Sequence, residues 1–188
     1  MNISTLTGKI QQNASLDFGD IFNKSIELFK KTWLQGFLFL VLSMLIAIPA
    51  VLIIYIPMLS MTAFRGFAQY EYYDVPEFPF ATMLPFFLLF FLAMIFVNTV
   101  TFAMTAGFFK MVKKLDVGQE ASTGDLFMYV KGRYLTKSFI LVLMTTGISL
   151  VAMFLCVLPL IYVAVPLNFF AVIFAFNPEL TPSEVVKA

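Results

Sequence analysis

Histidine is missing from the 188 residues, cysteine occurs once, and Asp, Glu, Lys and Arg together make up only 12% of the chain. One cysteine cannot form a disulfide within this sequence, and without His or a Cys pair the usual Cys/His metal sites are excluded. Cys156 has no imidazole to activate it as a nucleophile. It sits in an apolar run, where a free Cys behaves as a small hydrophobe. Charge is about half as frequent as in a soluble domain. It is absent altogether from Ser138 to Phe176, 39 residues without one Asp, Glu, Lys or Arg.

What fills that space is apolar: 61% of residues are hydrophobic and Phe alone occurs 24 times. As one helix the uncharged run would be about 58 Å long, roughly twice a hydrocarbon core of ~30 Å. Fitting it by tilt would need about 60° from the normal, beyond the usual 0–40°. Pro159 lies near its middle and Pro166 follows, so the sequence predicts a turn between Leu158 and Pro166 and two spans, 138–158 and 160–176. Two further apolar runs, 34–59 and 84–109, are each long enough to cross a bilayer. The expected fold class is therefore all-α, a polytopic transmembrane helical protein with about four spans.

The charges are unevenly placed. Eleven of the twelve Lys and Arg fall in Lys9–Lys31, Lys110–Lys137 and at Lys187, and Arg65 alone lies between the first two spans. The positive-inside rule then puts the N terminus, the central loop and the C terminus in the cytoplasm, which an even number of crossings satisfies. No cleavable signal peptide is evident: the first apolar run is too long and follows about thirty mostly polar residues, so it is expected to stay as an anchor.

Residues 1–16 read as a cytoplasmic tail and 17–188 as a single transmembrane domain. From 17 to 33, Phe18, Ile21, Phe22, Ile26, Leu28, Phe29 and Trp33 fall on one arc of a helical wheel, with Asp20, Asn23, Lys24, Glu27, Lys30 and Lys31 opposite. That segregation predicts a helix lying in the membrane interface. Pro49 is expected to kink the first span and Pro57 to mark its outer end. The following loop, roughly 60–83, carries Phe64, Phe67, Tyr70, Tyr72, Tyr73, Phe78 and Phe80. These read as an interfacial aromatic belt, with a ligand platform as the alternative. Glu71, Asp74 and Glu77 recur every three residues, but Pro76 and Pro79 do not resemble a calcium loop, and solvated acids are the better reading.

Asn98, Thr99, Thr101 and Thr105 place polar groups inside the second span. Thr99, Ala103 and Gly107 form a small-residue ridge, which Thr145, Ser149 and Ala152 of the third span could match. Interhelical contact is the expected role. No span carries the ionisable residue that a proton-coupled transporter or ion pump normally needs.

Phe18-Gly19-Asp20-Ile21-Phe22 is echoed by Thr123-Gly124-Asp125-Leu126-Phe127, each before a basic segment and a span with two prolines. The echo predicts a second interfacial helix over 123–137 and two parallel repeats of interfacial helix plus two spans. Near the C terminus, Thr181 is a predicted N-cap, with Pro182 at N1 and Glu184 at N3. Together with the Gly107–Lys114 stretch and Asn177-Pro178-Glu179-Leu180-Thr181-Pro182-Ser183-Glu184-Val185-Val186-Lys187-Ala188, these motifs resemble a broad group of bacterial integral membrane proteins. That group includes the YciC-like inner-membrane proteins and the membrane domain joined to some glycerophosphodiester phosphodiesterases. The resemblance covers Asp17 to Ala188. It implies a bacterial inner-membrane location, an undefined molecular activity, and a chain that looks cut short at its C terminus. No phosphodiesterase active-site residue has a counterpart here.

The functional expectation is a non-enzymatic scaffold or accessory subunit of the inner membrane, with no catalytic residue, cofactor or metal. Its expected partners are the bilayer and other membrane proteins or a second copy of itself, with no nucleic acid. A transporter or lipid-handling module for an uncharged substrate is the alternative. An enzyme fares worst, since the Gly118–Gly124 segment is not a phosphate-binding loop.

Overall fold

The computed structural model describes residues 17–70, 80–154 and 157–188, with side chains over 17–60, 84–154 and 161–188. All regular structure among them is helical: α1 (Phe18–Tyr70), α2 (Phe80–Asp116), a 3-10 turn (Thr123–Phe127), α3 (Gly132–Phe154), α4 (Val157–Phe176) and α5 (Pro182–Lys187). Stretches within α1, α2 and α3 are long and apolar enough to cross a membrane. The 20-residue α4 is apolar too. Helices are what a lipid environment demands, because each backbone N–H and C=O must be satisfied without water.

α1 joins what the sequence divides. The expected interfacial helix at 17–33 and span at 34–59 are one helix, which passes through Pro49 and Pro57 and reaches Tyr70. Nothing between Lys31 and Gly36 stops a helix. Beyond 59, Met61, Ala63, Arg65 and Gln69 are good helix formers. The helix thus takes in the first part of the expected loop. Glu71, Asp74 and Glu77 lie outside the described residues, as do Cys156 and the side chains of Arg65 and the aromatic belt.

α2 extends the expected span 84–109 by about two turns at its C-terminal end, through Lys110, Lys113 and Lys114. It closes in a Schellman arrangement: Gly118, at φ 73°, donates its N–H to Leu115 O (3.2 Å), and Gln119 N–H reaches Lys114 O (2.9 Å). Only glycine takes that left-handed position without strain.

Two boundaries differ from expectation further on. The helix expected over 123–137 is a 3-10 turn followed by irregular chain, and α3 starts only at Gly132. Burial of Leu126 and Tyr129 holds this segment down against its neighbours. The uncharged run does divide into two helices, but α3 ends at Phe154 and α4 begins at Val157, ahead of the expected window. Pro159 opens a helix rather than ending one. In a first turn its missing N–H costs nothing, since the first four N–H groups of a helix have no partner.

The chain forms two compact units, Met1–Leu40 with Thr99–Ala188, and Val41–Asn98. In the first, α3 and α4 pack antiparallel, with Leu141 joining Phe174 in the core and Ala152 and Val163 lining one cavity toward the opposite end of the pair. α1 presents Leu28, Thr32, Gly36 and Phe39, spaced by three or four residues, as its inward stripe. The Phe39 ring stacks on Phe108 at 5.3 Å, and Gly36 lies beside the same ring. The second unit is apolar and outward-facing: Ile48, Leu52, Ile56, Phe87, Phe91 and Phe96 are all exposed, while Ala50 is buried. Such surfaces suit lipid rather than water.

Candidate functional site

The tightest packing lies where the charged ends of the helices meet. Phe174, fully buried near the end of α4, lies against Phe102 of α2 (ring centroids 6.2 Å), Tyr129 of the irregular segment (5.2 Å) and Tyr134 of α3 (6.5 Å). Ala103, Ala106, Leu141, Leu180 and Val185 complete this core. Tyr129 donates its hydroxyl to Ala175 O at 2.8 Å, satisfying a carbonyl in the last turn of α4. Burial pushes its phenol up from the ordinary value.

Polar groups tie the loops to this core. Lys137 donates to Pro178 O (2.6 Å) and Leu180 O (3.0 Å), and Arg133 pairs with Glu179 at 2.8 Å. Lys114 reaches Asp125 at 2.8 Å, and the other Asp125 oxygen accepts the Ser122 N–H at 3.0 Å. The Lys114 ammonium holds the Asp125 carboxyl below its ordinary range, with the Ser122 N–H helping and burial opposing. Glu184 is also lowered, by the N–H and hydroxyl of Thr181, which it accepts at 2.8 and 2.7 Å.

The motif echo has a structural counterpart. Asp17 accepts the Gly19 N–H at 2.7 Å, and Ser122 accepts the Gly124 N–H at 3.2 Å. Each cap therefore holds the glycine two residues on. The apolar positions after the two glycines differ in burial: Leu126 is 1% exposed, whereas Ile21 in the first copy is 44% exposed.

Three of the polar residues expected to join spans bond back along their own helices. Thr105 donates to Thr101 O (2.8 Å), Thr145 to Leu141 O (2.8 Å) and Asn98 to Met94 O (2.8 Å), each back along its own helix. Thr99 and Ala103 are buried, but the close approach at Gly107 is to the 3-10 turn rather than to α3. A methyl there would stand 2.5 Å from Leu126 O and 2.8 Å from Asp125 O. Of the expected matching surface, Thr145 lines a cleft shared with Thr105, Ala152 is buried, and Ser149 is half-buried.

Sequence reasoning missed Tyr129, Lys137 and Phe174. The available signal was Lys137 at the border of an uncharged run, where its stem can lie on apolar surface and its head can reach backbone carbonyls.

Helices of this length and apolarity, with charges gathered at their ends, define an all-α polytopic membrane protein. Comparison with protein-family models, curated proteins and solved structures finds no match.

Proposed function

We propose that the chain is a multi-pass protein of the bacterial inner membrane, with its charged end in the cytoplasm, serving as a non-enzymatic scaffold or accessory subunit. The observation that carries this reading is the convergence of three basic stretches. Arg133–Glu179 and Lys137–Pro178 bring the residues after α4 to the same end as Lys110–Lys137. Glu27 of α1 lies within coulombic reach of Asp116 there. Basic residues on one side of the spans are what cytoplasmic orientation favours. With that side inward, α4 returns to the cytoplasm and the crossings number four. Membership of the YciC-like group is part of the same proposal, supported by the paired caps at Asp17 and Ser122.

The scaffold role is supported by how the polar side chains are used. Many of them pair with each other or with backbone, as Lys114 with Asp125 and Lys137 with Pro178 O, while broad apolar faces stay exposed. Photo-crosslinkers placed in cells at the exposed positions Phe29 and Leu92 test it. Discrete, reproducible protein adducts are expected. Lipid adducts alone, with saturable uptake of an uncharged solute by reconstituted protein, would replace the scaffold by the transporter reading.

A further inference from the structure

Between α2 and α4 runs an open cleft of about 570 Å³, lined by Phe102, Thr105 and Phe109 on one side and Ala164, Leu167 and Val172 on the other. We propose that it binds an anionic phospholipid, one acyl chain lying in the cleft and the phosphate beside Lys110.

Depth is the first argument. From Phe102 to Phe109 the helix rises about 10 Å, and from Ala164 to Val172 about 12 Å. Half of a ~30 Å core is about 15 Å. The cleft takes up most of one leaflet, and its lining ends one residue short of Lys110.

The second argument is chemical. Thr105 and Thr145 spend their hydroxyl protons on carbonyls of their own helices, and Asn168 donates to Ala164 O at 2.7 Å. No hydroxyl proton in the cleft is free, the Asn168 carboxamide is the one other polar side chain in its lining, and a hydrocarbon chain suits it. A second cavity continues from it at Val172, past Phe176 and Glu179.

Charge at the mouth is the third. Lys110 holds its ammonium 5.9 Å from the Phe176 ring centroid, an interaction that positions the cation without neutralising it. Among the described residues Lys110 forms no ion pair, whereas Lys113 is paired with Asp116, Lys114 with Asp125, and Arg133 answers Glu179. A positive charge is thus left at headgroup level.

The test uses the full chain with Trp33→Phe and Ala164→Trp, which puts the single indole in the cleft at an exposed position. The protein is reconstituted in phosphatidylcholine vesicles holding a minor fraction of brominated lipid. Brominated phosphatidylglycerol should quench the indole with about fivefold higher apparent affinity than brominated phosphatidylcholine, the preference one lysine supplies near an anionic surface. Lys110→Gln should abolish the preference, and Lys113→Gln should keep it. Native mass spectrometry of the unsubstituted chain should retain phosphatidylglycerol over phosphatidylcholine. Equal quenching, a preference that survives Lys110→Gln, shielding from both lipids by a protein helix, or no retained anionic lipid would each overturn the proposal.

Discussion

At the scale of single residues, Gly107 and Gly147 are chemically identical and structurally opposite. Carbonyl oxygens crowd the first, and at the second nothing lies within 4 Å of the place a methyl would take. Gly107→Ala must displace backbone, so it should cost about 2 kcal/mol or more. Gly147→Ala should be neutral or stabilise by up to about 1 kcal/mol, because helical alanine loses less chain entropy. Unfolding of both variants in the same detergent measures the contrast. The small-residue spacing marks Gly107 as a place of close approach, but its partner is a turn, and no spacing rule names a partner. Asp125 gives a pH dependence. Its carboxyl is held low by Lys114, so the contribution is complete above the ordinary carboxylate range and is lost as pH falls through the depressed folded value. Acidification below about pH 4 should therefore open the 122–127 turn, a loss of about 1–2 kcal/mol. Asp125→Asn should remove that pH step in hydrogen exchange; a step that persists in the variant would assign it to another group.

At the scale of elements, the apolar runs locate every long helix, since length and absence of charge are properties of sequence alone. Boundaries are less legible. Proline in a sequence reads as a stop, yet Pro159 sits in the first turn of α4 and Pro49 and Pro57 lie inside α1. The same residue starts, bends or ends a helix according to neighbours that the sequence does not display. The 123–137 segment departs from expectation for another reason: its helical potential loses to tertiary burial of Leu126 and Tyr129. Both faces of the expected amphipathic segment of α1 are exposed, Asp20, Lys24 and Lys30 along with the apolar arc. Phe18, Ile21, Phe22, Phe29 and Trp33 are exposed, and Thr32 is buried. If that arc contacts lipid, Phe22→Asp with Phe29→Asp should speed exchange across 18–30 and leave the Gly107–Leu126 contact protected. Unchanged exchange in 18–30 would mean that the arc does not rest on the membrane.

For the whole molecule, the charge pattern and the packing agree by independent routes. Counting Lys and Arg groups three stretches on one side, and the contacts Arg133–Glu179 and Lys137–Pro178 bring two of those stretches together. The core that joins them is not legible in the sequence, because Phe174 is one of 24 phenylalanines and only three-dimensional packing singles it out. The central claim is that this end faces the cytoplasm. With Cys156→Ala as background, Gln119→Cys, Ser183→Cys and Tyr72→Cys are labelled separately with a membrane-impermeant maleimide. Gln119 is chosen over its neighbour Gly118, whose positive φ a side chain would strain. In intact cells only the thiol at position 72 should react, and positions 119 and 183 should react together once the membrane is permeabilised. Labelling of 119 or 183 from outside, or reaction of those two from opposite sides, would contradict the account.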